Sequence, residues 1–333
     1  MDQYKERLGK IEAVLEQWLS KTQESIWAEK IFRNIGQSIS VETIRFLTDP
    51  LNDMISRGGK RWRPLLMTLI CESLGGGNAA IPLSPLVEFS HTASLIHDDI
   101  EDESDERRGM PSIHKIYGVD TAINSGSFLY FLAASCIDSC ELNDKFHVHK
   151  MWADYMRKLH MGQAMDIYWH RNVSVIPSAD EYYLMAGLKT GALAGFAAEL
   201  GSYAAGAPPE KTEQFAEAAK KMGVGFQILD DVKNLTTGVR GKRRGDDVVE
   251  GKKSLPVLLY IDKYPHKKEM IFYYFHVAKN EGTSAPEVGE FIETITNTGV
   301  LAEAEEKGKA LLKDARDVFG SHALLNDLFN LIS

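Results

Sequence analysis

Disulfides, membrane spans, linkers and side-chain nucleophile motifs are scarce or missing in these 333 residues, and each absence removes a class of protein. The three cysteines, Cys71, Cys136 and Cys140, are odd in number and form no even disulfide framework. Cys136 and Cys140 stand one helical turn apart and, with His147 and His149, suggest zinc; reduced thiols in a cytosolic core account for them more simply, and a cytoplasmic location is expected. The apolar run from Ala192 to Ala207 contains Glu199 and is too short to cross a bilayer, so no transmembrane segment is expected. Met1 to Lys10 is polar and charged, which gives no expectation of a cleavable signal. No Pro/Gly/Ser-rich tract, repeat or low-complexity stretch marks a boundary, so residues 1–333 read as one domain. Positive charge is also short: 38 Lys and Arg face 47 Asp and Glu, and the net charge of −9 argues against nucleic acid as the main partner. No strand alternation is convincing anywhere. There is no Gly-x-Ser-x-Gly, no P-loop and no Cys/His pair with triad logic.

What the chain does have is helical periodicity that carries acids in two places. In the segment from Pro85, with Ser84 read as N-cap, Glu88, His91, Leu95, Asp98, Asp99 and Asp102 fall within an arc of roughly 100°. Oxygen-only ligands at this density suit a hard divalent cation such as magnesium. Taken alone, the stretch reads equally well as a solvated acidic helix end that runs on into Glu103, Asp105 and Glu106. A second segment decides between the two. Gln227, Asp230, Asp231 and Asn234 again share roughly 100° of an otherwise apolar helix. Adjacent acids in apolar helices are costly unless paired or metal-bound, so two such stripes suggest one cavity lined from both sides.

Basic groups accompany the acids. Gly58-Gly59-Lys60-Arg61-Trp62-Arg63-Pro64 is a compact loop whose glycines let backbone approach a ligand and whose Lys60 and Arg63 suit a diphosphate. By itself it is equally a solvated turn. Arg107-Arg108-Gly109 follows the first acidic cluster, and Lys242, Arg243, Arg244, Lys252 and Lys253 follow the second. Gly187-Leu188-Lys189-Thr190-Gly191 predicts a kink inside a long helix, or a close helix crossing over small residues. Further helices are expected at Val41 to Ile55, Asp120 to Leu142, Lys145 to Tyr168 and Ala179 to Tyr203.

These motifs, in this order, resemble the trans-isoprenyl diphosphate synthase (polyprenyl synthetase) family over essentially the whole chain. The matching residues are Gly58-Gly59-Lys60-x-x-Arg63-Pro64, Glu88-x-x-His91, Asp98-Asp99-x-x-Asp102, Arg107-Arg108-Gly109, Lys189-Thr190 and Phe226-Gln227-x-x-Asp230-Asp231. The resemblance implies an all-α, single-domain bundle around a deep central cavity (the isoprenoid synthase fold), a homodimer, and three Mg2+ ions. It implies a prenyltransferase that joins isopentenyl diphosphate to an allylic diphosphate. Residue by residue, it gives Lys60, Arg63, His91 and Arg108 to isopentenyl diphosphate. It gives Arg107, Lys189, Thr190, Gln227, Lys242 and Lys252 to the allylic diphosphate, with Lys253 as an alternative to Lys252. Asp98, Asp102 and Asp230 become direct metal ligands, supported by Asp99 and Asp231.

Two positions depart from the family pattern: Asn234 stands where a third aspartate is common, and Ser127 where long-chain members carry Asp. Product length is expected to depend on Ala93 and Ser94, both small, and on a floor formed by Phe128, Tyr130, Phe131 and Leu132. The resemblance is nearest to geranylgeranyl diphosphate synthases, with longer-chain synthases next. A class I terpene cyclase would show a glutamate after Asn234 in its second motif, which this chain lacks. A non-catalytic partner subunit would have lost one of the motifs that are all present here.

Overall fold

The computed structural model describes residues 2–19, 24–238, 244–320 and 323–332. It divides into two compact units, residues 1–152 with 200–206, and residues 153–199 with 207–333. Two of the boundaries fall inside helices, at 152/153 and 199/200, and the third lies at 206/207, in the short connection between residues 204 and 209.

The first unit begins with α1 (Asp2–Glu16) and α2 (Glu24–Phe32), followed by α3 (Val41–Ser56), α4 (Trp62–Ser73) and α5 (Ser84–Glu101). Ser40 starts α3 by accepting the Thr43 amide at 3.2 Å, a standard N-cap that the neighbouring apolar pattern anticipates. Helix α5 starts differently from the expectation. Ser84 is its first residue and not its cap, because the Ser84 hydroxyl donates to the Ile81 carbonyl of a preceding 3-10 turn at 2.7 Å. The chain then forms a hairpin, where the sequence suggested no strand. Strands β1 (Glu106–Arg107) and β2 (Met110–Pro111) pair antiparallel, Arg107 opposite Met110. Both residues of the connecting turn, Arg108 and Gly109, have positive φ (58° and 78°), as a tight two-residue hairpin requires. Two-residue strands are too short to leave a periodic signature.

After α6 (Ile113–Tyr117), α7 (Val119–Ser139) packs against α3 and α5. Leu65, Leu66, Leu69, Phe89, Ile96 and Leu129 form its fully buried interior. Each such side chain contributes about 1.5–3 kcal/mol through removal from water.

Helix α8 (Lys145–Arg171) leads into the second unit, through α9 (Ala179–Ala186) and α10 (Ala192–Ala204). A capping box, Ser178 with Glu181, opens α9. Between α9 and α10 the helix does not break at Gly187–Gly191 but widens into one π-helical turn. The rest is α11 (Pro209–Leu235), α12 (Asp246–Glu250), α13 (Leu255–Lys263), α14 (Lys268–Glu281), α15 (Pro286–Thr296), α16 (Val300–Phe319) and α17 (Ala323–Ile332). Helix α11 packs along α16 and against the π-turn, and the core around it includes Tyr182, Ile228, Phe275, Phe291 and Ile295. Among the described residues no helix is long and apolar enough to cross a membrane.

Candidate functional site

In the first unit, the end of α5 and the hairpin make one electrostatic unit. Arg107 donates from Nε to Asp99 Oδ1 at 2.7 Å and from Nη2 to Asp98 Oδ2 at 3.3 Å. Asp99 is fully buried, whereas Asp98 and Asp102 are half-buried. The acidic face is therefore narrower than the helical wheel suggests. His91, Ser94, Leu95, Asp98 and Asp102 lie on its open side, while Glu88 and Asp99 turn inward. Burial alone would lower the Arg107 pKa, but Asp99 and Asp98 outweigh it and raise it above its ordinary value. The hairpin that presents Arg107 is itself fastened by Arg57, whose Nη1 donates to the carbonyls of Pro111 (2.8 Å) and Arg107 (3.2 Å). Asp53 holds Arg57 from the other side at 2.8 Å. Neither residue stood out in the sequence, since an i,i+4 Asp–Arg pair on a helix is ordinary.

Beside this unit lies a crowd of guanidiniums. Arg63 Nη1 donates to His91 Nε2 at 3.1 Å, so the imidazole accepts there and carries its hydrogen on Nδ1. Burial, then the charges of Arg63, Arg108, Arg107 and Arg61, push the His91 pKa well below its ordinary value. Arg108 Nη1 donates to the Met54 carbonyl at 3.2 Å, and its guanidinium lies against Gly59, where an added Cβ would sit 3.1 Å from Nη2. Burial lowers Arg63 to about 10 and also lowers Arg108 to about 10, where Arg61 and Arg107 add repulsion. Among the described residues neither Arg63 nor Arg108 forms an ion pair; both donate to neutral acceptors. Lys60 is exposed at the same loop.

The second unit holds the other half of the predicted residues. Lys189, on the π-turn, donates to Asp166 Oδ2 of α8 at 2.6 Å. Burial alone would raise the Asp166 pKa, but Lys189 and Lys252 outweigh it and hold the carboxylate charged. Asp166 lies in Gly162-Gln163-Ala164-Met165-Asp166 and was not singled out as a site residue. Its signal, an acid four residues beyond a glycine in an amphipathic helix, is weak without its partner. Thr190 Oγ1 donates to Gln227 Oε1 at 2.7 Å, and Gln227 Nε2 donates to Asp231 Oδ1 at 2.9 Å. Asp231 Oδ2 takes the Tyr182 hydroxyl at 2.6 Å and the Leu255 amide at 3.4 Å. Asp231 is thus enclosed by protein donors. Burial raises its pKa to about 6, with Asp230 adding to the rise. Asp231 orients Gln227, while the half-buried Asp230 is the acid on the open side of α11.

Asn234 is also turned inward, its Oδ1 accepting the Asp247 amide at 3.4 Å at the start of α12. That bond ties the end of α11 to the start of α12. Lys252 pairs with Glu250 and lies 4.0 Å from Asp247, whereas Lys253 is buried and donates to the Trp169 carbonyl at 2.8 Å. Burial lowers the Lys253 pKa to about 8. Lys242 lies outside the described residues.

The product-length positions divide as well. Ala93 is completely buried and Ser94 half-buried, so only Ser94 stands on the open side of α5. Phe128 packs edge-on against Trp27 (6.2 Å between ring centroids) and tilted against Phe32 (5.9 Å) of α2, a contribution the sequence did not suggest. Tyr130 stacks on His97 at 5.9 Å, and Ser127 Oγ lies 3.3 Å from His97 Nε2. Phe131 is 69% exposed and forms no part of a floor within this chain.

The donor chemistry fits a hard divalent ion. Asp98 and Asp102 stand one turn apart on one open helix face, and Asp230 is the open acid of the other unit. Among the described residues no three His, Cys, Asp or Glu side chains enclose a metal on their own.

A family model described as polyprenyl synthetase matches residues 44–292. A geranylfarnesyl diphosphate synthase of Aeropyrum pernix is 34% identical over 297 residues, 84% of this chain and 91% of that protein. A geranylgeranyl diphosphate synthase of Methanosarcina mazei is 34% identical over 278 residues, 79% of this chain and 82% of that protein. The crystal structure of a geranylgeranyl pyrophosphate synthetase from Pyrococcus horikoshii superposes with a TM-score of 0.78 at 28% identity, over 96% of this chain and 97% of that one.

Proposed function

Because the chain belongs to the polyprenyl synthetase family, we propose that it condenses isopentenyl diphosphate head-to-tail with an allylic diphosphate, with geranylgeranyl diphosphate as its main product. It is a trans-prenyltransferase. The observation that carries the substrate reading is the pair Arg63 and Arg108. Two crowded guanidiniums, bonded only to neutral acceptors beside a neutral His91, favour a multiply charged anion. With Lys60 they hold isopentenyl diphosphate.

Arg107, Lys189, Thr190, Gln227, Lys242 and Lys252 are assigned to the allylic diphosphate. Asp98, Asp102 and Asp230 would hold magnesium, which when bound supplies charge neutralisation for a departing diphosphate. The chain's own cations at Arg107 and Lys189 stabilise the same developing charge, which lowers the barrier to allylic C–O cleavage. Asp99 and Asp166 keep those two cations oriented. Thr190 and Asp231 fix the amide of Gln227, whose carbonyl dipole would steady the cation left behind. The isopentenyl double bond attacks from its held position, and a proton leaves to the released diphosphate.

Residues 1–333 act as one catalytic domain, and two chains form a homodimer. Val119, Ile123 and Phe131 are exposed at helical spacing on α7, a stripe suited to a second copy.

The test is the chain expressed alone. With magnesium, isopentenyl diphosphate and an allylic primer it should form a longer prenyl diphosphate, and chelation should stop the reaction. Product appearing only with a second, different subunit would reassign the chain as a partner subunit.

A further inference from the structure

One buried arginine of the Lys60–Arg63 loop is not part of the expected contacts. Arg61 is 1% exposed at its side chain and sits in the left-handed region at φ 46°, ψ 29°, a conformation a residue with a Cβ adopts at a cost. It follows Gly58 (φ 75°) and Gly59 (φ 148°), so three of four consecutive residues in this loop have positive φ. The turn is not held by a side-chain cap at the start of α4. Instead the Arg61 fork is bonded on three sides. Nη1 donates to Glu88 Oε1 of α5 at 2.7 Å, Nη2 to the Ile55 carbonyl of α3 at 2.8 Å, and Nε to Glu12 Oε1 of α1 at 2.8 Å. Glu88 lies one turn before His91, and Arg61 stands between Lys60 and Arg63. Helix α1 packs against α4 and α5, with Ile11 and Leu15 buried on either side of Glu12.

We propose that Arg61 is a positioning residue for the condensing substrate, and that helix α1 takes part in binding that substrate through Glu12. The inference rests on the assignment of Lys60 and Arg63 to isopentenyl diphosphate. A planar fork with three fixed donors sets one backbone conformation, and a lysine in its place cannot. The left-handed turn at Arg61 aims Lys60 outward while seating Arg63 against His91. With the fork removed, the strained turn relaxes and the two cations lose their spacing. Glu12 pairs with Arg61 but bonds neither Lys60 nor Arg63, and it is 37% exposed, so its substitution leaves the core intact.

The experiment compares the wild type with Glu12→Gln, Arg61→Lys and the double variant. It measures the Kd of isopentenyl diphosphate by titration calorimetry and the KM of both substrates. Thermal melting confirms folding. Arg61→Lys should weaken isopentenyl diphosphate about tenfold or more and Glu12→Gln about threefold, with the allylic KM unchanged. The double variant should be no worse than Arg61→Lys, because both changes act on one fork. A fold in which Arg61 serves stability alone would lower the melting temperature and leave the ratio of the two KM values untouched. Unchanged isopentenyl diphosphate affinity in folded Glu12→Gln and Arg61→Lys, or equal changes in both KM values, overturns the inference. A wild-type chain that binds no isopentenyl diphosphate overturns the substrate assignment itself.

Discussion

Adjacent acids in this chain do opposite work, and burial decides which does what. Asp99 and Asp231 are enclosed and spend their oxygens on Arg107 and on Tyr182, Gln227 and Leu255, whereas Asp98 and Asp230 stand on the open sides of their helices. Asp98→Ala should therefore cut turnover about a hundredfold or more while the fold survives, because it deletes an open carboxylate. Asp231→Asn should act more gently on magnesium demand and more strongly on stability, since it leaves a donor unpaired in the interior. Magnesium titrations and melting curves of the two variants separate the roles; equal magnesium shifts would contradict the division.

His91 supplies the pH test. Its pKa in the fold lies below the ordinary value of about 6.5, so the unfolded chain takes up the proton first as pH falls. The stability that a neutral His91 contributes is present above about pH 6.5 and is lost as pH falls below it. Between pH 7.5 and 5 the wild type should lose more stability in urea melts than His91→Gln. An identical pH slope for the two would mean that the imidazole is not held neutral.

At the scale of elements, the π-turn at Gly187–Gly191 depends on bare backbone contact. A Cβ on Gly162 of α8 would lie 2.4 Å from the Lys189 nitrogen, and one on Gly223 of α11 would lie 2.7 Å from the Gly191 Cα. Gly162→Ala should destabilise by about 1–3 kcal/mol or more and raise the allylic KM, because Lys189 and Thr190 are pushed off their partners. Gly9→Ala on α1, with nothing within 4 Å, should instead stabilise by roughly 0.5–1 kcal/mol. Melting both variants alongside the wild type checks the contrast.

Much of this scale was legible in the chain. Glycines flanking Lys189-Thr190 marked an irregularity, and the apolar spacing placed α3, α7 and α8 to within a few residues. The hairpin was not legible, since two-residue strands have no period and Arg108 hides a positive φ that a second glycine would have betrayed. Helical-wheel geometry also could not tell Asp98 from Asp99. Which side of a 100° arc is open depends on the packing of α5 against α7, which no local pattern reports. Arg61, Asp166 and Tyr182 were passed over for the same reason: each gains meaning only from a partner distant in sequence.

At the scale of the whole molecule, assembly, length control and reaction are each open to test. The exposed Phe131 belongs to a surface suited to a second copy, so Phe131→Glu should shift the chain toward monomer in sedimentation; an unchanged mass would remove α7 from the interface. Of the residues proposed to control product length, Ser94 is the one on the open side of α5 that a substitution can test. A phenyl ring at the half-buried Ser94 should shorten the main product, whereas Ala93→Phe, at a fully buried position, should first cost stability. Product analysis of folded Ser94→Phe decides this: an unchanged product length would mean the tail does not pass this turn of α5. The reaction itself is tested most directly by the mass of the product that the purified chain makes from isopentenyl diphosphate and farnesyl diphosphate with magnesium. The expected product is an acyclic diphosphate one isoprene unit longer than the primer, geranylgeranyl diphosphate, formed about a hundredfold or more slowly by Asp98→Ala. A cyclic hydrocarbon with release of diphosphate, or unchanged farnesyl diphosphate, would contradict it.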